Sequence, residues 1–215
     1  TTLQTNVLSK IAIYNNSTLE DFTGMFRYSK LIEDINGADT SILSNITTVK
    51  MYKYFTPTLN SAVKYTLSFN NALYNPHSGH NADAGGIISS TGFKINDDSS
   101  ANEHFLDDDG EGILRAYYLS GTTRVYTDST YGTVNYTTGE VILTSAHLTS
   151  ISNVDGATST RVRVFAIPSS NDIVPVRNQV LSIDTSNSTI TGEVDAIVSG
   201  SSQAGTSYTT TSSYS

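Results

Sequence analysis

The chain has no cysteine and no tryptophan, and only four prolines and two methionines in 215 residues. Without cysteine there is no disulfide framework, no thiolate metal site and no Cys nucleophile, and any redox compartment suits it. Positive charge is scarce as well, with 12 Lys and Arg against 20 Asp and Glu, a net charge of −8. That balance argues against sequence-independent nucleic-acid binding, which rests on clustered cations that neutralise phosphates. No run approaches the roughly 18 apolar residues that a membrane span requires. Neither nucleic acid nor membrane is therefore expected as a partner.

What the chain does have is hydroxyl groups. Ser and Thr make up roughly a quarter of it, and it carries 13 tyrosines, a bias that fits turn-rich β structure with uncharged polar outer faces. The length allows one or two compact domains with a real core. Thr1 is not a start methionine and a helical pattern begins at once, so a piece of a longer polypeptide is expected.

Leu3, Val7, Ile11 and Tyr14 recur at helical spacing, which predicts a helix that ends at Asn15-Asn16-Ser17 and packs on a sheet. A short extended segment is expected from Leu19 to Phe26. Tyr28, Leu31, Ile32 and Ile35 mark a second helix, with Ser29 as N-cap and Gly37 as its stop. Period-two patterns follow over Ile46–Phe55 and Val63–Phe69, so residues 1–70 read as a small α+β unit.

From residue 71 to 168 a β-rich, antiparallel, sandwich-like domain is expected. Its strands are Ile87–Ile95, Gly112–Leu119, Thr123–Thr127, Thr133–Tyr136, Glu140–Thr144 and Thr160–Ile167. Residues 169–215 read as a β extension, with strands Val180–Asp184 and Thr189–Val198, followed by an uncharged tail from Ser199 to Ser215 that cannot build its own core. The fold class is α+β.

The acidic run Asp107-Asp108-Asp109-Gly110-Glu111-Gly112 invites comparison with a calcium loop. Asp107, Asp109 and Glu111 take positions 1, 3 and 5, Gly112 position 6 and Leu114 position 8. Position 12 is Tyr118, which supplies no carboxylate. The preferred reading is a hairpin with Asp109-Gly110 as the central pair of a type I′ turn and its acids solvated. His77, His80 and Asp83 lie close in sequence on a Pro-, Gly- and Asn-containing loop, but with no further donor in view the loop is read as surface. No metal and no cofactor is expected.

Catalysis has no foothold either. There is no GxSxG elbow, no glycine-rich phosphate loop and no lysine in a nucleophile context. The carboxylate pairs Glu103 with Asp107 and Glu140 with Asp155 are better explained as turn and edge charges than as a glycosidase pair. The N-x-S/T triplets at Asn15, Asn45, Asn135 and Asn187 arise by chance in so hydroxyl-rich a chain. No enzyme and no small-molecule substrate is expected. The tyrosines point instead to contact surfaces, since tyrosine combines buried area with a polar tip. Tyr52, Tyr54, Tyr208 and Tyr214 are the expected interaction residues.

Several stretches carry a resemblance. These are Phe26-Arg27-Tyr28-Ser29-Lys30-Leu31-Ile32-Glu33-Asp34-Ile35-Asn36-Gly37-Ala38-Asp39 followed by Ile42–Val49, then Tyr65–Asn70, Gly86–Phe93 and Tyr131–Val141. In order, they resemble the C-terminal region of the baseplate wedge protein of T-even and related cyanobacterial myophages, a relative of the baseplate J-like proteins. The resemblance implies a structural subunit that pairs with itself and with other baseplate subunits, in the ring around the tail hub of a virion assembled in the host cytoplasm. A surface carbohydrate-binding or adhesin-type β module is the competing reading.

Overall fold

The structure is a computed structural model that describes residues 2–21, 23–80, 86–154, 156–176 and 179–193. Helix α1 (Thr2–Tyr14) buries Val7, Ile11 and Tyr14, the stripe that the spacing predicts. Its backbone does not stop at Asn15 but widens into a π-helical turn, Asn15–Leu19. The reason lies in Asn15 itself. Its Nδ2 donates to Glu20 Oε1 at 2.6 Å and its Oδ1 accepts the Ile183 N–H at 2.6 Å, so an apparent stop residue becomes a buried strap point.

Helix α2 (Tyr28–Asn36) buries Leu31 and Ile35. Ser29 is not its N-cap. That position belongs to Arg27, and the first N–H, of Tyr28, is accepted by Asp172 Oδ1 at 2.8 Å. A carboxylate at a helix N-terminus satisfies an orphan donor and meets the positive end of the dipole, and here it comes from 144 residues away. Beside it, Phe26 and Ile173 exchange both backbone hydrogen bonds at 3.0 Å. The helices pack mainly on each other and on the returning chain, with Phe26, Ile173, Leu181, Ile183 and Ile190 completing their core, and meet the expected sheet through Met51 at the start of its first strand.

Among the described residues nine strands follow: β1 (Met51–Phe55), β2 (Ala62–Ser68), β3 (Ile88–Ser90), β4 (Phe93–Ile95), β5 (His104–Asp108), β6 (Ile113–Ser120), β7 (Thr123–Asn135), β8 (Glu140–Ile151) and β9 (Val162–Ala166). Every pairing among them is antiparallel. The pairings β4-β5-β6-β7-β8-β4 close on themselves, so the centre is a five-stranded barrel where a sandwich was expected. Closure removes sheet edges. Strand β2 adds to β8 outside the ring, and β1-β9-β3 form a separate three-stranded sheet. Strands β1 and β2 thus pair with β9 and β8, not with each other, because each apolar face needs the core built by the later strands.

Several expected strands change form. The run Ile87–Ile95 splits at Thr91-Gly92, with β3 and β4 in different sheets. Thr123–Thr127 and Thr133–Tyr136 fuse into β7, whose register shifts twice against β6 and so bends round the barrel. Val180–Asp184 forms no strand, since its hydrogen bond goes to the Asn15 side chain and its apolar residues Leu181 and Ile183 to the helices. Residues 189–193 form no strand, and Val194–Val198 lie outside the described residues. Strand β5 is the first arm of the hairpin expected at Asp109-Gly110, with bounds that the sequence pattern did not give.

The barrel interior is filled by Phe93, Leu106, Leu114, Val141, Leu143 and Leu148, each fully buried. At Gly132 of β7 a Cβ would run into the Ile142 carbonyl oxygen of β8, so this corner tolerates only glycine. Because the obstacle is backbone, Gly132→Ala is expected to destabilise by about 2 to 3 kcal/mol. Gly37→Ala, where a Cβ would make ordinary contact with Glu33, is expected to stay within about 0.5 kcal/mol of the parent. Urea unfolding of the two variants checks this contrast.

Candidate functional site

Two regions bring polar and aromatic groups together: the β5–β6–β7 face of the barrel, and the flank that runs from Leu43 into β1. In the first, successive β5 residues point to opposite sides of the sheet, which sends Asp107 outward and Asp108 inward. Both acids are buried, at 1% and 0% exposure. The expectation that the acids of this run are solvated is therefore wrong for these two.

Asp107 is surrounded by cations. Arg115 Nε donates to its Oδ1 at 2.9 Å, and Arg124 Nη1 and the Tyr126 hydroxyl donate to its Oδ2 at 2.8 Å each. Arg115 stacks over the Tyr126 ring and Arg124 over Tyr117, at 4.4 and 4.6 Å to the centroids. This charge pairing across three strands offsets the desolvation of the carboxylate. Burial, and then the hydrogen bond to Asp107, push the Tyr126 hydroxyl pKa up.

Asp108 faces the seam between the barrel and the three-stranded sheet. It accepts the Ile88 N–H at 2.8 Å and the Tyr136 hydroxyl at 2.6 Å. Its carboxylate fills the space where a side chain at Gly86 would sit. Burial raises its pKa, against the lowering effect of those hydrogen bonds.

The turn between β5 and β6 is a hairpin, but not of the expected type. Asp109 has no positive φ; the left-handed positions are Gly110 and Gly112, at +78° and +107°. Asp109 Oδ1 accepts the N–H groups of Glu111 and Ile113 at 2.8 and 2.9 Å, closing a longer loop. The calcium-pattern residues accordingly diverge: Asp107 to its arginines, Asp109 into its own turn, and Glu111 toward Ser78, whose hydroxyl donates to it at 3.3 Å. Among the described residues no three metal-ligating side chains gather. An open cleft of about 560 Å³ beside this turn is lined by Asn75, Glu111, Gly112 and residues 133–137.

The second region is an edge. Strand β1 pairs with β9 on one side only. On its outer face Tyr54 lies under Arg161 at 4.2 Å and Tyr52 under Arg163 at 5.8 Å, with Phe165 5.9 Å from Tyr52. Tyr52 and Tyr54 remain 38% and 52% exposed. Burial, and then Asp184 beside it, raise the Tyr52 pKa.

Upstream, the predicted strand Ile46–Phe55 forms only from Met51, because β9 offers no partner beyond the Met51–Ala166 pair. Even so, exposed and half-buried residues alternate from Asn45 to Tyr54, as in a strand with one covered face. Val49 and Met51 lie on the helical core, whereas Ile46 is fully exposed and Leu43 80% exposed. Among the described residues, no backbone-to-backbone hydrogen bond holds 43–50; side chains of α2 reach it instead, the Tyr28 hydroxyl donating to the Thr47 carbonyl at 3.0 Å and Asn36 Oδ1 accepting from Asn45 Nδ2 at 2.6 Å.

Of the other expected residues, Tyr208, Tyr214, Asp83 and Asp155 lie outside the described residues. Glu103 packs against Gly92, and Asp107 is committed to its arginines, so this pair offers no free acid facing a base. Glu140 lies on β8, paired with Ser68 and Asn135. Sequence reasoning missed Arg161 and Arg163, and with them the cationic character of the β1–β9 face. The alternation Arg161-Val162-Arg163-Val164 was the available signal.

Removing Asp107 takes the carboxylate away from two partly buried guanidinium groups, and Asp107→Ala is expected to cost about 3 to 5 kcal/mol, whereas Arg124→Ala, at a more exposed position, costs about 1 kcal/mol. Asp108 behaves differently with pH. Its folded pKa is raised, so its contribution is fully present below the ordinary carboxylate value and is lost as pH rises through the folded one. The stability of Asp108→Asn relative to the parent is therefore expected to increase from acid to neutral pH. Urea titrations at several pH values read both effects.

Residues 1–54 match the family model of the baseplate structural protein gp6, C-terminal domain III. The matched stretch contains both helices and the exposed flank up to Tyr54, and it supports a phage baseplate family. No curated protein matches the chain.

Proposed function

We propose that this chain is a structural subunit of a contractile phage tail baseplate that works by contact with copies of itself and with neighbouring subunits in the ring around the tail hub, without turnover of a substrate. The observation that carries the contact surface is the flank 43–55. It has strand alternation, a backbone without ladder bonds over 43–50 and with one free edge over 51–55, and two exposed aliphatic side chains, Leu43 and Ile46, in the same flank as Tyr52 and Tyr54. An unpaired edge of this kind is a template for another strand. A partner strand laid along it would complete the β-structure that the sequence encodes and β9 does not reach. The Arg161 and Arg163 side chains stacked on the tyrosines favour an acidic partner surface, which a chain of net charge −8 supplies. Tyr208 and Tyr214 are proposed as additional contact residues in the assembled particle.

The reading is tested with Ile46→Asp. Ile46 touches little in the isolated chain, being fully exposed, so the substitution is expected to change stability by less than about 0.5 kcal/mol. Light scattering at micromolar concentration is expected to show dimers or larger species for the parent and monomer for the variant. A variant that associates like the parent removes the flank as the contact. Imaging of the particle decides the setting: symmetric copies near the tail axis support the baseplate subunit, while a fibre-tip position supports the adhesin-type module.

A further inference from the structure

The loop that carries His77 and His80 is held in place from several directions. The His80 N–H donates to the His77 carbonyl at 3.2 Å, and Gly79, at φ +70°, turns the chain between them. The Gly79 N–H and Asn75 Nδ2 both donate to the Gly110 carbonyl at 3.2 Å. The Tyr74 N–H donates to the Ile167 carbonyl at 3.0 Å, and its ring meets His80 edge-on at 5.4 Å. The turn is thus docked on the barrel and on β9's end, and the imidazoles are presented by a supported backbone.

The two rings face each other. His80 Nδ1 lies 3.1 Å from His77 Nε2, and His77 Nδ1 lies 3.0 Å from the Ser78 carbonyl oxygen. A carbonyl only accepts, so His77 Nδ1 carries the proton and its Nε2 presents a lone pair. His80 then has two choices. With its proton on Nδ1 it donates to His77; with the proton on Nε2, both facing nitrogens present lone pairs. Two imidazoles bound to one ion at about 2.0–2.1 Å place their nitrogens roughly 2.9 to 3.4 Å apart, the separation found here. The ring centroids, 4.8 Å apart, are closer than a collinear pair would be, so the nitrogens meet at an angle, as ligands on one ion do.

The geometry points to His77 Nε2 and His80 Nδ1 as a two-histidine site for an imidazole-preferring divalent transition metal, Cu²⁺, Ni²⁺ or Zn²⁺, with the Ser78 carbonyl fixing the tautomer of the first ligand. Such an outer partner is what orients a metal-binding histidine. Among the described residues no third metal-ligating side chain joins the pair, and the ion ties the turn across its base. His104 does not compete, because both of its nitrogens are engaged, by the Asn102 carbonyl and the Thr127 hydroxyl.

Titration calorimetry of the 215-residue chain with the chloride salts of Ni²⁺, Zn²⁺ and Mn²⁺ tests the site. One saturable equivalent is expected for Ni²⁺ and Zn²⁺, with Mn²⁺ at least tenfold weaker, as the divalent affinity order requires. His77→Ala and His80→Ala are each expected to weaken Ni²⁺ binding at least tenfold, while His147→Gln leaves it unchanged. Nitrogen-edge NMR of the histidines should shift His77 Nε2 and His80 Nδ1 on adding Zn²⁺, and Zn²⁺ should raise the melting temperature of the parent but not of the double variant. The assignment is overturned if no saturable equivalent is seen, or if the double variant binds Ni²⁺ as the parent does.

Discussion

Two consecutive acids on β5 tie it to its neighbours, Asp107 within the barrel and Asp108 across to the three-stranded sheet. Strand geometry makes neighbours face opposite ways, so Asp107 gathers two arginines and a tyrosine across β6 and β7, and Asp108 reaches inward to β3 and to the turn after β7. The three-stranded sheet has no ladder to β5. It meets the barrel through side chains, Asp108 to the Ile88 N–H and the Ser90 hydroxyl to the Leu106 N–H. Charge and hydrogen bonding do here what a continuous sheet would otherwise do.

That arrangement explains why so much of the seam is glycine and tyrosine. Gly86 leaves room for the Asp108 carboxylate, and Gly132 lets β7 press on β8. Tyr126 and Tyr136 place hydroxyls on the two carboxylates, while the Tyr136 ring packs on the apolar core and the Tyr126 ring lies under Arg115. The tyrosine abundance read from composition as contact surface is therefore divided. Part of it, Tyr52 and Tyr54, is on an exposed edge, and part is spent inside the fold.

Local patterns were legible where local physics decides. The α1 stripe, the α2 stripe, the Val63–Phe69 alternation and the hairpin at Asp109-Gly110 all rest on spacing or on turn chemistry, and all four are found, the hairpin with a longer turn than the type I′ expected. Features set by distant partners were not. Asp172 caps α2 and Asn15 holds Ile183 across more than 140 residues, and no sequence window contains both ends. Barrel closure and the fusion of two predicted strands into β7 have the same origin. In the candidate site, Tyr52 and Tyr54 were legible as aromatic residues on an alternating run, but the arginines stacked on them come from β9 and became visible only with the pairing.

The chain's return to its own beginning has a mechanical meaning. Gln4 Nε2 donates to the Ile190 carbonyl at 2.8 Å, and Gly192 lies beside the Leu3 side chain. Residues 3–4 and 190–192 thus meet at one corner, next to helix α1. Tension between those two points would be borne first by that short clasp and by the Asn15–Ile183 strap, in the manner of a zip opened one tooth at a time. The barrel, with its hydrogen bonds running around a closed ring, would stay outside the line of force and keep its shape while the clasp yields.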